Sequence, residues 1–130
     1  MLAKSIHHVS FAVRDLEASC AFYEEVLGLD RVERPDLGIP GVWYAAGTGQ
    51  VHLIAVPEGA DLGRPPGSLT PLANHSAFAI ESYAEALAFL RERGAEVFET
   101  RPEIGQLWIR DPDGNVIELI GPQSADAGPR

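Results

Sequence analysis

Residues 8–13 read HVSFAV, and residues 75–80 read HSAFAI, 67 positions further along the chain. Both stretches show the period-two alternation of a β-strand, which places His8 or His75 with small residues on one face and larger apolar residues on the other. A strand of this kind packs on one side and leaves the other side open. Its recurrence at a fixed offset predicts that one structural unit occurs twice in the chain.

In the first copy, the strand pattern over residues 6–13 leads into a helix and three shorter strands. Asp15 is a favourable N-cap for the helix, and Gly28 is placed to end it. Apolar segments between loops rich in proline and glycine then predict strands over residues 29–33, 42–46 and 50–56.

The second copy shows the same series of elements. Ser82, with Glu85 three residues later, forms a capping box that opens a helix over residues 83–93, and Gly94 ends it. Strands are predicted over residues 96–100, 106–110 and 115–120. Residues 50–54 also align with residues 116–120 at an offset of 66, which supports the repeat.

These patterns predict an α+β fold built from two βαβββ modules. Residues 1–56 form the first module, 57–73 a connector loop, 74–121 the second module and 122–130 a tail. One module alone would be too thin to be stable, because it has a single small sheet and one helix. Two modules side by side predict a curved mixed sheet with the helices outside and a concave open face.

The composition excludes several classes of protein. Of the 130 residues 45% are hydrophobic, which is enough to fill a core and excludes a disordered chain. No apolar run approaches the ~20 residues of a membrane span, and no signal-peptide pattern opens the sequence. Cys20 is the only cysteine, so we expect a reducing, cytoplasmic environment. A net charge of −9 argues against nucleic-acid binding.

Four residues that can bind a metal ion fall into two matched pairs. The repeat aligns His8 with His75 and His52 with Glu118, and the separations within the pairs are 44 and 43 residues. Each pair joins the first and last strands of its module, so all four side chains could converge on the axis between the modules. Three imidazoles and a carboxylate suit one divalent ion, namely Zn(II), Ni(II), Co(II), Mn(II) or Fe(II). His7 is predicted to be a surface residue at the strand end.

Four segments of the chain carry a family resemblance: HHVSFAVRDLEASCAFYEEVLGL at 7–29, VHLIAV at 51–56, NHSAFAI at 74–80 and DPDGNVIELIG at 111–121. Together they resemble the vicinal oxygen chelate superfamily, which includes glyoxalase I, extradiol dioxygenases and the fosfomycin- and bleomycin-resistance proteins. The resemblance implies paired βαβββ modules, a divalent metal ion held on the first and fourth strands of each module, and a homodimer. The ligand positions carried over from the family are His8, His52, His75 and Glu118.

The resemblance further implies a metal-dependent lyase or isomerase of the glyoxalase type, which chelates a small substrate through adjacent oxygens and stabilises an enediolate-like intermediate. Glu118 is then the candidate catalytic base, or alternatively a fixed ligand beside a water that acts as the base. Residues 100–105 do not match the potassium-binding loop of fosfomycin-resistance enzymes. Two alternatives stay open: an Fe(II) ring-cleaving dioxygenase of the extradiol type, and a metal-free antibiotic-binding protein like those of bleomycin resistance.

Candidate substrate contacts come from three kinds of side chain. Ser10 lies on the open strand face, where its hydroxyl could bind a substrate oxygen or simply be solvated. Tyr44 and Trp108, like Trp43, are predicted at the pocket rim, although aromatic residues on short strands often belong to the core. Arg101 could bind an anionic substrate or face solvent, and the same choice applies to the arginines at positions 34, 64 and 110.

Overall fold

A computed structural model describes residues 2–122 and divides the chain into two compact units, with the boundary between Gly63 and Arg64. This boundary lies inside the predicted connector, and residues 123–130 of the predicted tail lie outside the described residues. In the described part of the chain, no helix is long and apolar enough to cross a membrane.

Unit 1, up to Gly63, contains a four-stranded sheet and one helical segment. Its elements in chain order are strand β1 His8–Val13, helix α1 Leu16–Ala21, and strands β2 Asp30–Val32, β3 Gly41–Ala46 and β4 Gly49–Ala55. The strand order is β1-β4-β3-β2, with β1 and β4 parallel and the other neighbours antiparallel. The first and last strands of the unit therefore lie side by side in a mixed sheet.

The helix of unit 1 differs from the prediction in its second half. The α-helical part ends at Ala21, and residues Phe22–Val26 continue as a π-helix. Here the N–H of Leu27 donates to the carbonyl oxygen of Phe22, five residues earlier, at 3.1 Å. Apolar spacing over a single turn does not distinguish a π-helix from an α-helix, so the sequence predicted one continuous α-helix.

Unit 2 repeats the order of elements found in unit 1. It contains β5 His75–Ala79, α2 Tyr83–Glu92, β6 Phe98–Glu99, β7 Gln106–Arg110 and β8 Val116–Ile120. The strand order is β5-β8-β7-β6, with β5 and β8 parallel. The predicted α+β fold with two βαβββ modules is confirmed. Strand β6 is shorter than the predicted strand over residues 96–100, because within that range only Phe98 and Glu99 pair with β7.

Both helices begin where side-chain capping predicts, and a glycine follows the last turn of each helical segment. The carboxylate of Asp15 accepts from the N–H of Ala18 at 3.1 Å, and the hydroxyl of Ser82 accepts from the N–H of Glu85 at 3.2 Å. Beyond the helix ends, Gly28 and Gly94 both have a φ of 71°. Only glycine adopts this left-handed conformation without a steric penalty, so both positions stop the helix.

One face of each sheet forms the core. In unit 1, Val13, Tyr23 and Tyr44 are fully buried, and the two tyrosine rings lie 6.3 Å apart. In unit 2, Leu90 of α2 is buried together with Leu107 of β7. Burial of each such side chain contributes about 1.5–3 kcal/mol to folding, so this packing decides which strand face lies under the helix.

The opposite face of the first strand in each unit is open. In β1, the exposed residues alternate with buried or half-buried ones, and in β5 the same alternation occurs. The exposed positions are His8, Ser10 and Ala12 in β1, and His75, Ala77 and Ala79 in β5. The predicted face assignment is therefore confirmed for both strands.

Gly41, at the start of β3, has no room for a side chain. A Cβ atom added there would lie 2.5 Å from the carbonyl oxygen of Leu53 and 2.8 Å from Nη2 of Arg34. Because the backbone of β4 would have to move, we predict that Gly41→Ala lowers the free energy of unfolding by about 1–3 kcal/mol. Urea denaturation monitored by circular dichroism measures this loss.

Gly67→Ala is the matched control, since a Cβ atom at Gly67 would meet no atom within 4 Å. This substitution should change the free energy of unfolding by less than about 0.5 kcal/mol. Equal stability of the two variants would contradict the close approach of Gly41 to β4.

Candidate metal centre

His75 and Glu118 are neighbours on the parallel strands of unit 2. Nε2 of His75 lies 3.3 Å from Oε1 of Glu118, and the Glu118 residue is only 6% exposed. Nδ1 of His75 is 2.8 Å from the carbonyl oxygen of Ala73. A carbonyl only accepts, so Nδ1 carries a proton, and Nε2 is the ring nitrogen that a metal ion would use. The pair therefore presents one nitrogen and one oxygen donor at the same place.

A series of hydrogen bonds holds the Glu118 carboxylate. Nε2 of Gln106 donates to Oε2 of Glu118 at 3.1 Å, and the hydroxyl of Thr100 donates to Oε1 of Gln106 at 3.3 Å. The indole N–H of Trp108 donates to the Thr100 oxygen at 2.8 Å. Trp108 thus orients Thr100, Thr100 orients Gln106, and Gln106 orients the carboxylate. The carboxylate is therefore held in one orientation, with Oε1 next to His75.

In unit 1, His52 lies between two other aromatic rings. Its ring centroid is 4.0 Å from that of His8, at an interplanar angle of 17°, and 4.1 Å from that of Trp43, at 4°. Strand β4 runs between β1 and β3, so the two rings approach His52 from opposite sides. The His52 residue is 6% exposed, and the stack restricts its ring.

The surroundings of His52 favour its neutral form, and one hydrogen bond fixes which ring nitrogen carries the proton. Nε2 of His52 lies 2.8 Å from Oε1 of Gln50, an atom that only accepts, so the proton is on Nε2 and the lone pair on Nδ1. Burial lowers the pKa of His52, and the positive charges of His8, His7 and Arg34 lower this pKa further. Neutral imidazole is the form that binds metal ions.

The side chains around the two pairs occupy equivalent positions in the two units. Trp43 is directly opposite His52 in the β3–β4 register, and Trp108 is directly opposite Glu118 in the β7–β8 register. The Trp108 ring meets the His75 ring edge to face, with centroids 4.7 Å apart. The repeat therefore includes a tryptophan beside each pair, as well as the four candidate ligands.

The chemistry of the donor set fits a divalent ion of borderline hardness. Two ligand atoms about 2.1 Å from one ion, at an angle of about 100°, are separated by about 3.2 Å. This value is close to the 3.3 Å between His75 and Glu118, whereas His8 and His52 are stacked face to face. Within residues 2–122 the candidates occur as two pairs, and no three or more His, Cys, Asp or Glu side chains are arranged to hold a metal ion.

Tyr44, predicted as a substrate contact, lies on the helix side of β3. It is fully buried, and its hydroxyl donates to Oε2 of Glu24 at 2.7 Å, an oxygen that also pairs with Arg31. Adjacent strand residues point to opposite faces, so Trp43 occupies the face of His52 instead. The prediction for Tyr44 is therefore wrong, because its ring has no surface left for a substrate.

The other predicted substrate contacts are found in three different environments. Ser10 is exposed and lies opposite His52 in the β1–β4 register. Trp108 is 4% exposed and contacts His75 through its ring. The side chain of Arg101 is 60% exposed and pairs with Glu103 at 2.6 Å. Of the predicted substrate contacts, Ser10 is thus both exposed to solvent and next to a candidate metal ligand, His52.

Two side chains next to the candidate ligands were missed in the sequence analysis. Gln50 bonds His52, and Gln106 bonds Glu118. A signal for Gln50 is present in the sequence, because it lies two residues before His52 and therefore shares its strand face. Gln106 lies on a different strand from Glu118, and only the pairing of β7 with β8 brings the two together.

A family model described as Glyoxalase/Bleomycin resistance protein/Dioxygenase superfamily matches residues 5–119. The chain is 33% identical over 132 residues to glyoxylase I 4 of Arabidopsis thaliana, covering 96% of this chain and 75% of that protein. It is 31% identical over 135 residues to lactoylglutathione lyase of Salmonella typhimurium, covering 93% of each. A solved glyoxalase family protein from Bacillus anthracis superposes with a TM-score of 0.77 at 24% identity, covering 95% of this chain and 98% of that one. The chain therefore belongs to the glyoxalase, bleomycin resistance protein and dioxygenase superfamily.

Proposed function

We propose that the protein is a metal-dependent lyase or isomerase of the glyoxalase type, acting on a small substrate that chelates the metal through two adjacent oxygens. The observation that carries the proposal is the equivalence of the two pairs. In each unit, a histidine of the first strand lies beside a ligand-capable side chain of the last strand. Names of relatives such as lactoylglutathione lyase support the same class of reaction.

The residues that would hold the ion are His8, His52, His75 and Glu118. When bound, a divalent cation polarises the oxygens of a substrate and stabilises the negative charge that develops when a neighbouring proton leaves. His52 supports this assignment because it is buried and its lowered pKa favours the neutral ring. Glu118 supports it because Gln106 orients its carboxylate.

Glu118 is also the group we assign as the base. Oε2 accepts a hydrogen bond from Gln106, so Oε1 is the oxygen that would bind the ion and, once released from it, take a proton. The substrate C–H bond would then break, with the proton going to Oε1 of Glu118 and the electron pair staying on the substrate. Ser10, exposed on the strand face of His8, would donate a hydrogen bond to a substrate oxygen.

Metal dependence is the first test of this function. We expect EDTA to lower the melting temperature of the metal-loaded protein by several degrees, because the ion binds only the folded state. His75→Ala should abolish tight metal binding, measured as metal retained after gel filtration. A protein purified without an affinity tag that holds less than ~0.2 equivalents of any transition metal, unchanged by reconstitution, would contradict the proposal.

His7→Ala is the control for His75→Ala. His7 is exposed, and its side chain meets the candidate site at His8, where the two Nδ1 atoms are 2.9 Å apart and the ring centroids 5.2 Å apart. We expect this variant to retain tight metal binding. Equal loss of metal from the two variants would show that the ligand set is assigned wrongly.

The second test concerns His52 and distinguishes an isomerase or lyase from a ring-cleaving dioxygenase. Four protein ligands on a six-coordinate ion leave two positions, enough for a bidentate substrate but too few for a catecholate and O₂ together. We therefore predict a metal–nitrogen distance of ~2.1 Å for His52 in a crystal structure of the metal-loaded protein. The iron-loaded protein should consume no oxygen with catechols, and oxygen uptake would favour the dioxygenase.

We also propose that the protein is a homodimer. Each described sheet ends in strands with a single paired neighbour, β1 and β2 in unit 1 and β5 and β6 in unit 2. Free backbone groups at such edges are commonly covered by another chain. We predict that light scattering at micromolar concentration gives twice the 14.0 kDa of one chain. A mass of one chain would contradict the dimer.

A further inference from the structure

Arg34, in the loop between β2 and β3, has a buried nitrogen atom without a partner. Its Nε makes no hydrogen bond within the described part of the chain. Four other arginines there pair with a carboxylate at 2.8 Å or less, namely Arg31, Arg91, Arg101 and Arg110. A buried donor that lacks a partner is unfavourable for folding. Such groups are retained mainly where they serve function.

The guanidinium group of Arg34 lies on the sheet face of the candidate site. A Cβ atom at Gly41 would fall 2.8 Å from Nη2 and 2.9 Å from Cζ of Arg34, so the guanidinium occupies the space where that side chain would begin. Gly41 and Trp43 are two residues apart on β3 and therefore share a face. Trp43 in turn stacks on His52.

The net charge of the chain bears on what this arginine can do. The chain as a whole carries a net charge of −9, so its surface repels small anions. The positive charge of Arg34, whose Nε has no partner among residues 2–122, would offset this repulsion at short range.

We propose that Arg34 binds a carboxylate of the substrate, so that the substrate is a small acid with two adjacent oxygens for the metal and a separate carboxylate for Arg34. The part of this proposal that concerns the two metal-binding oxygens of the substrate rests on the proposed function. The guanidinium fork matches a carboxylate geometrically and can bind it through two hydrogen bonds. One guanidinium balances one negative charge, which favours a carboxylate over a doubly charged phosphate group.

Two hydroxamates of equal length provide the probe. Butanohydroxamic acid offers only the chelating oxygens, whereas succinic monohydroxamic acid carries a carboxylate in place of its terminal methyl group. Isothermal titration of the zinc-loaded protein should show tighter binding of the carboxylate probe. Arg34→Met should reduce this preference by about tenfold to a hundredfold and leave the affinity for butanohydroxamic acid unchanged. Arg34→Lys should restore part of the preference, because the charge is kept.

Arg31→Met is the matched control, with the same change in charge at an arginine that pairs with Glu24. Arg101→Met tests another arginine that the sequence analysis named as a candidate contact for an anionic substrate. Both variants should keep the preference for the carboxylate probe. A preference that survives in Arg34→Met, or that is lost in Arg101→Met instead, would overturn the assignment of Arg34.

A measurement without metal separates this inference from the proposed function. In the metal-free protein, titration with succinate should shift the NMR signal of the Arg34 Nε–H, identified by its loss in Arg34→Met. A signal that does not move overturns the role of Arg34, whatever the hydroxamates do. If neither hydroxamate binds the zinc-loaded protein while this signal shifts, the chelating function fails and the carboxylate site stands.

Stability distinguishes a binding role of Arg34 from a structural one. Replacing a buried, unpaired nitrogen by an apolar side chain of similar length should leave the melting temperature unchanged or raise it. Arg34→Met should therefore melt no lower than the Arg31→Met control. A clear fall in the melting temperature of Arg34→Met alone would assign the guanidinium to the fold and contradict the proposal.

Discussion

Parallel pairing of the first and last strands in each unit is the constraint on which the candidate site depends. The β1–β4 and β5–β8 pairs have the same register, and parallel strands cannot be joined by a tight turn. A helix and two further strands supply the crossover in both units. Residues 44 and 43 positions apart thereby become neighbours. A slip of one residue in either strand pair would turn these side chains toward the core.

The two units share a topology but support their buried candidates by different interactions. A buried carboxylate requires hydrogen-bond donors, and Gln106 supplies one to Glu118. Burial favours the neutral form of the His52 imidazole, which lies against Trp43. The repeat keeps the position of the candidate ligand, while the side chains around it differ between the units.

Charge is distributed unevenly between the surface and the candidate site. The net charge of −9 belongs to a chain in which four described arginines pair with carboxylates, namely Arg31, Arg91, Arg101 and Arg110. Such pairs at the surface contribute little to stability, because water and salt screen them. Arg34 differs in having a buried nitrogen, and it influences His52 on the same sheet face. Under the proposal that Arg34 binds a substrate carboxylate, selection of an anion would depend on this short-range interaction, since the net charge of the chain opposes anions at long range.

Local patterns determined much of the fold from the sequence alone. The two modules and the helix starts at Asp15 and Ser82 depend on side-chain period and on hydrogen bonds that span three residues, so the sequence could predict them. Only the tertiary structure decided that Tyr44 lies under the helix, that Gln106 orients Glu118 and that Nε of Arg34 has no partner among residues 2–122. These outcomes depend on which distant segments pack together, and no spacing along the chain specifies such contacts.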